Sequence, residues 1–119
     1  MVSSEASDAA AGSTLTAVEL KQKIDAGEKV AIIDVREPVE WDIVRIEGAT
    51  LIPPKGDILS GEGLAKVPQD RPTVLYCKTG IRSAEALAAL KRAGFADATH
   101  LQGGVTAWAN QVDKTLPVY

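Results

Sequence analysis

The stretch Thr73-Val74-Leu75-Tyr76-Cys77-Lys78-Thr79-Gly80-Ile81-Arg82-Ser83 joins a strand to a helix through a loop that opens on the chain's only cysteine. Residues 73–76 are short, continuous and apolar, the pattern of a strand buried on both faces. Pro72, which leads into them, suits the entry to a strand because it has no N–H to give to a ladder. Downstream, Ala86, Leu90 and Ala93 recur at i, i+4 and i+7 with Leu87 beside them. Lys91 and Arg92 fall in the last turn and Gly94 follows, so the spacing predicts a helix over 83–93. Cys77 therefore stands where a buried strand hands over to a helix N-terminus.

Working outward, Val30-Ala31-Ile32-Ile33-Asp34-Val35 reads as a second buried strand. Thr50-Leu51-Ile52 and Ala98-Thr99-His100-Leu101 are weaker strand segments. Thr16 with Glu19 forms a capping box, and Gly27 is a stop after Val18, Leu20 and Ile24, which predicts a helix over 17–26. Short helices are expected over 38–44 and from about 105 to 112. Strands that alternate with helices predict an α/β domain with a mostly parallel sheet covered on both faces. Residues 1–14 are small, polar and aperiodic, the composition of a tail or linker. The folded domain is expected over 15–119, without internal repeats.

The chain has 119 residues, 45% of them hydrophobic and 24% charged, the balance of a globular domain with a core of its own. Lys and Arg number 13 against 16 Asp and Glu, a net charge of −3, which argues against a nucleic-acid partner. One Cys and one His exclude an internal disulfide and a Cys/His zinc site, so no metal and no cofactor are expected. No apolar run reaches the roughly 18 residues of a membrane helix, and no secretory signal is visible. No membrane partner is expected, and an unpaired cysteine in such a chain fits a cytoplasmic location.

A lone cysteine is most often a small hydrophobe. Here its surroundings favour a nucleophile. A loop closing on a helix N-terminus can turn several backbone N–H groups inward to form an anion site. Gly80 supplies the backbone freedom for that curl. Lys78 and Arg82 add positive charge, and no acid follows before Glu85. All three features favour thiolate over thiol without a dedicated base.

The loop Cys77-Lys78-Thr79-Gly80-Ile81-Arg82-Ser83 resembles the active-site loop of the rhodanese family of sulfurtransferases. Ile33-Asp34-Val35-Arg36-Glu37 with Glu40-Trp41 resembles that family's first signature, and Ile46-Glu47-Gly48-Ala49 leading to Leu51-Ile52-Pro53 resembles its second. Leu101-Gln102-Gly103-Gly104-Val105-Thr106-Ala107-Trp108 is similar to the glycine pair and tryptophan beyond the active-site helix. Together these pieces span about residues 15–119.

The resemblance implies a rhodanese-like fold, a central five-stranded parallel sheet with helices on both faces. It also implies a cycle in which Cys77 takes a sulfane sulfur from a donor, becomes a persulfide and passes the sulfur to a thiophilic acceptor. Lys78, Thr79, Gly80, Ile81, Arg82 and Ser83 would form the binding loop. The donor would be thiosulfate or the persulfide of a cysteine desulfurase. The spacing is Cys-x4-Arg, whereas the phosphatases and arsenate reductases related to this fold use Cys-x5-Arg. A shorter ring suits a single sulfur better than a tetrahedral oxyanion with three equatorial oxygens. The alternatives are a phosphatase or arsenate reductase on this scaffold, and a docking module for a carrier protein without turnover.

Supporting roles are expected at Asp34, Arg36 and Arg45. Asp34 and Arg36 share a sheet edge with Cys77 and would either pair with each other or face its loop. Arg45 stands where family members commonly carry a histidine, and is either a donor-selecting residue or a solvated arginine. Trp41 and Trp108 are read as packing residues, Gly103 and Gly104 as a turn, and His100 as structural. Residues 76–87 look especially like the C-terminal rhodanese domains of adenylyltransferase/sulfurtransferases of the MoeZ/MoeB type. That likeness implies an adenylyltransferase domain in the same parent chain and a ubiquitin-like sulfur-carrier protein as acceptor. The pathways served would be molybdopterin, thiamine or cysteine biosynthesis or tRNA thiolation.

Overall fold

The computed structural model describes residues 13–52 and 62–119. Most of the expected tail, and Pro53 of the second resemblance, lie outside the described residues. Five strands, β1 (Thr14–Leu15), β2 (Ala31–Asp34), β3 (Thr50–Leu51), β4 (Thr73–Tyr76) and β5 (Thr99–Leu101), form one sheet in the order β1-β5-β4-β2-β3. All neighbouring strands are parallel. Among the described residues, α1 (Ala17–Asp25), α2 (Pro38–Ile43) and α3 (Ile81–Arg92) lie in connections between strands, and α4 (Gly104–Gln111) follows β5. A 3-10 helix, Gly63–Lys66, precedes β4. The expected α/β architecture is thus present, with a fifth strand at the β1 edge that periodicity does not reveal because it is only two residues long.

Strand alternation divides the core in two. Ala31, Ile33, Leu75 and Cys77 face Ala86, Leu87 and Leu90 of α3. Ile32, Val74 and Tyr76 face the opposite side, where Leu20 of α1 and Val105 and Trp108 of α4 cover them. The central strands β2 and β4 are buried along their whole length, as their uninterrupted apolar runs require. Thr16 opens α1 with the expected reciprocal cap: its Oγ1 accepts the Glu19 N–H at 3.1 Å, and Glu19 Oε1 accepts the Thr16 N–H at 2.9 Å. Helix α3 starts at Ile81, two residues before the periodic estimate. Ile81 is 73% exposed, so the apolar spacing that locates the helix does not register its first turn. Among the described residues, no helix is long and apolar enough to cross a membrane.

The chain leaves β2 toward β3 on one side and leaves β4 toward β5 on the other, so the connections diverge at the C-terminal ends of the two central strands. Ligands of open α/β sheets bind in such a crevice. Asp34 ends β2 at this point, in register with Tyr76, and Cys77 follows β4. Arg36 and Asp34 form a fully buried pair. Arg36 Nε lies 3.0 and 3.1 Å from the two Asp34 carboxylate oxygens, and its Nη2 lies 2.7 Å from Oδ2. Nη2 also donates to the Val44 carbonyl, and the Arg36 N–H donates to Asp34 Oδ1 at 2.9 Å. Of the two arrangements open from sequence, the paired one is observed.

Burying two charges is tolerated here because nearly every lone pair and proton has a partner. Arg36→Ala leaves the Asp34 carboxylate buried without its counter-ion and should cost about 3–5 kcal/mol in urea unfolding at neutral pH. A loss below 1 kcal/mol, as for an exposed pair, would contradict this account of the β2 edge.

Candidate active site

Beyond Tyr76 the chain curls back on itself before α3 begins. Gly80, with φ +118°, caps the helix in a left-handed conformation that a side chain would strain. The curl delivers the Gly80 N–H to Cys77 Sγ at 3.1 Å and the Ser83 N–H at 3.4 Å. Cys77 itself is only 1% exposed. Ser83 lies in the first turn of α3, so its N–H has no acceptor within the helix, and the sulfur takes that place. The N–H groups of Ile81 and Arg82 occupy the same first turn and face the same lack of intrahelical acceptors. The Thr79 and Ile81 side chains are exposed at the rim, so both residues serve the loop through their backbone.

The outer side of the loop is held by α4. The Val105 N–H donates to the Cys77 carbonyl at 2.9 Å, and the Thr106 N–H donates to the Lys78 carbonyl at 3.1 Å. These two bonds anchor the start of the loop against α4, ahead of the Gly80 N–H that reaches the sulfur. Gly103 and Gly104, at φ +76° and +59°, bring the helix end to this contact. A Cβ on Gly104 would collide with the carbonyl oxygens of Cys77 and Lys78. The glycine pair is therefore a buttress of the cysteine loop as well as the expected turn.

Ser83 links the sulfur to a second group. Its Oγ is 3.6 Å from Cys77 Sγ, 3.1 Å from the Gly80 carbonyl, to which it donates, and 3.0 Å from His100 Nδ1. With the hydroxyl proton on the Gly80 carbonyl, the Nδ1–H tautomer of His100 completes the arrangement. Burial lowers the His100 pKa, so the ring is neutral at pH 7. His100 is thus one residue removed from the sulfur, a proximity its strand position alone does not disclose.

The expected cations take separate partners. Arg82 grips Glu40 of α2 through Nη1 at 2.7 Å and Nη2 at 2.9 Å. The Arg82 hydrogen bonds are the main cause that holds the Glu40 carboxyl down to about 2. The phenol of Tyr119 donates to Glu40 Oε1 at 2.7 Å and accepts from Arg36 Nη1 at 2.7 Å. Lys78 Nζ stands 4.6 Å from the centre of the Tyr119 ring. Lys78, Arg82, Arg36, Glu40 and Tyr119 are thus one cluster beside the loop. Glu40 had a signal in the Glu40-Trp41 signature, whereas nothing in the sequence pointed to Tyr119. Arg45 is exposed and stacks over Trp41 at 4.7 Å, and no hydrogen bond or ion pair among the described residues joins it to the Cys77 loop. Trp108 is buried in the core, as a packing residue should be.

Gly104→Ala combines left-handed strain with a backbone collision and should lower the unfolding free energy by about 2–4 kcal/mol. Gly27→Ala, at φ +79° with open space around it, should cost only about 1–2 kcal/mol, so equal losses would count against the buttress. The Glu40 pair carries a pH signature. A carboxyl at about 2 in the fold, against an ordinary 4.5, stabilises the fold above pH 4.5, and that contribution is lost as pH falls toward 2. Glu40→Gln should therefore melt below the wild type at pH 7 and converge with it in acid. A gap independent of pH would show that the charge is immaterial.

The chain matches the family model for the Rhodanese-like domain over residues 16–111. It is 63% identical over its whole length to the probable adenylyltransferase/sulfurtransferase MoeZ of Mycobacterium tuberculosis, of which it spans 30%. It is 34% identical to a sulfurtransferase of Allochromatium vinosum, with 76% of this chain and 81% of that one covered. The crystal structure of a rhodanese-like domain protein from Staphylococcus aureus superposes with a TM-score of 0.73 at 30% identity, covering 89% of this chain and 97% of that one. With its parallel sheet, its cysteine loop and these relatives, the chain belongs to the rhodanese-like domain family and is of the sulfurtransferase type.

Proposed function

We propose that Cys77 is the nucleophile of a persulfide cycle. The Cys77 thiolate attacks the outer sulfur of thiosulfate, a new S–S bond forms, and the S–S bond of the donor breaks with its electron pair leaving on sulfite. The Cys77 persulfide then yields its terminal sulfur to a thiophilic acceptor, and the electron pair of that bond returns to the Cys77 thiolate. Both resting forms are anions at one place, so a single set of donors serves the whole cycle. The observation that carries this reading is the pair of N–H groups, from Gly80 and Ser83, directed at Sγ. Lys78 to Ser83 hold the transferred sulfur through their backbone, with Lys78 adding positive charge and Arg82 tied to Glu40 beside the loop. The buried Asp34–Arg36 pair supports the neighbouring sheet edge. A loop of four residues between Cys77 and Arg82 favours a sulfur atom over a phosphoryl group.

The natural acceptor we propose is the C-terminus of a ubiquitin-like sulfur-carrier protein, converted to a thiocarboxylate after activation by an adenylyltransferase domain of the same parent chain. The 63% identity to a region of a probable adenylyltransferase/sulfurtransferase supports this choice. Molybdopterin synthesis is the pathway that name favours, with thiamine, cysteine and tRNA thiolation as the other destinations of such a sulfur. A persulfide from a cysteine desulfurase would replace thiosulfate in the cell, and a cycle built on a free thiol calls for a reducing, cytoplasmic setting.

Intact-protein mass spectrometry tests the cycle. Wild-type protein incubated with thiosulfate should gain one sulfur, and cyanide should remove it with release of thiocyanate. Cys77→Ser should fold but gain nothing. A wild type that stays unmodified by both thiosulfate and a persulfide donor, with Cys77 still alkylatable, would overturn the proposal.

A further inference from the structure

The cations around the loop differ in what holds them, and that difference decides which of them retains its charge. Arg36 is neutralised by Asp34 and Arg82 by Glu40, each through at least two short hydrogen bonds. Lys78 has no carboxylate within 4 Å among the described residues, and its ammonium rests on the Tyr119 ring instead. A carboxylate that anchors a cation also cancels it. An aromatic face anchors a cation through its quadrupole and adds no counter-charge.

The ring is itself fixed from two sides. Its hydroxyl accepts from Arg36 Nη1 and donates to Glu40 Oε1, both at 2.7 Å, and Arg36 lies 5.7 Å from the ring centre. Burial is the main cause that raises the phenol's pKa, with the Glu40 hydrogen bond adding to it, so the ring stays uncharged near neutral pH. The two ion pairs thus act as a frame for Tyr119, and Tyr119 acts as a rest for Lys78.

We propose that Tyr119 is a specificity-determining positioning residue that holds Lys78, with its charge intact, beside the Cys77 loop to recognise anionic sulfur donors. The donor part of this proposal rests on the sulfur-transfer reading, whereas the field at Cys77 does not. Thiosulfate carries two negative charges, so one uncompensated ammonium at the approach should lower its KM more than it alters kcat. The sequence shows Lys78 as a cation of the loop but offers nothing that would distinguish it from Arg82.

A measurement independent of sulfur transfer is available because Cys77 is the only thiol. Iodoacetate is an anion and iodoacetamide is neutral, and both react with the same thiolate, so the ratio of their rates reports the field and cancels changes in ionisation. Tyr119→Leu and Lys78→Ala should each lower the iodoacetate-to-iodoacetamide ratio about three- to tenfold. The double variant should fall no further than either single one, since both remove the same positioned charge. Tyr119→Phe keeps the ring but loses its two hydroxyl anchors, so it should retain part of the ratio that Tyr119→Leu loses. In variants that take up sulfur, the KM for thiosulfate should rise by a similar factor with kcat nearly unchanged.

An unchanged ratio in Tyr119→Leu, additive losses in the double variant, or a Tyr119→Phe loss equal to that of Tyr119→Leu would overturn the proposal for Tyr119. A wild type that takes up no sulfur yet shows the expected ratios would overturn donor recognition alone and retain the positioned charge. The two failures are therefore distinguishable.

Discussion

The candidate site depends on two hydrogen bonds from the N-terminus of α4 to the carbonyls of Cys77 and Lys78. These bonds anchor the Cys77 and Lys78 peptide planes against α4, and the chain beyond them, turning at Gly80, delivers the Gly80 and Ser83 N–H groups to the sulfur. The first turns of two helices meet at this loop and use their unpaired donors differently. In α4 they bind the loop's carbonyls, and in α3 the Ser83 N–H binds the sulfur. Neither use is open to a helix that begins farther away. The close approach of α4 in turn requires that residue 104 lack a side chain.

Electrostatics at the loop follows a second constraint, the disposal of three cations in a small volume. Two are consumed by carboxylates, one deep in the sheet edge at Asp34 and one at the rim at Glu40. These pairs stiffen the walls and lend little net field, because each carries its own counter-charge. What remains for an incoming anion is the set of backbone dipoles at the head of α3 and the ammonium of Lys78. His100 reaches the sulfur only through Ser83.

Much of the architecture was legible because its causes are local. Residues 31–34 and 73–76 are buried on both faces, and their uninterrupted apolar runs say so directly. Helix α1 was legible from its reciprocal cap, which lies within four consecutive residues. The start of α3 was misjudged because Ile81 is an apolar residue turned to solvent, and β1 escaped notice because two residues cannot display a period. The choice between an internal Asp34–Arg36 pair and one aimed at the cysteine was not decidable from spacing, since both residues reach the same edge. The observed pair forms because burial at the crevice leaves neither charge any access to water.

By itself the sequence pointed to a candidate nucleophile and the loop that carries it, and determined the order of the main elements and the family signatures, which are written in short contiguous segments. Only the tertiary structure decided which charges survive at that loop. Glu40 meets Arg82 across 42 residues, and Tyr119 meets Arg36 across 83 and Glu40 across 79. It also decided that a glycine pair beyond β5 would shape a loop more than twenty residues earlier. The physical reason is one of range. Hydrogen-bonded turns, caps and apolar periods are set by neighbours in the chain, whereas the balance of charge at a point in space depends on what folding brings there.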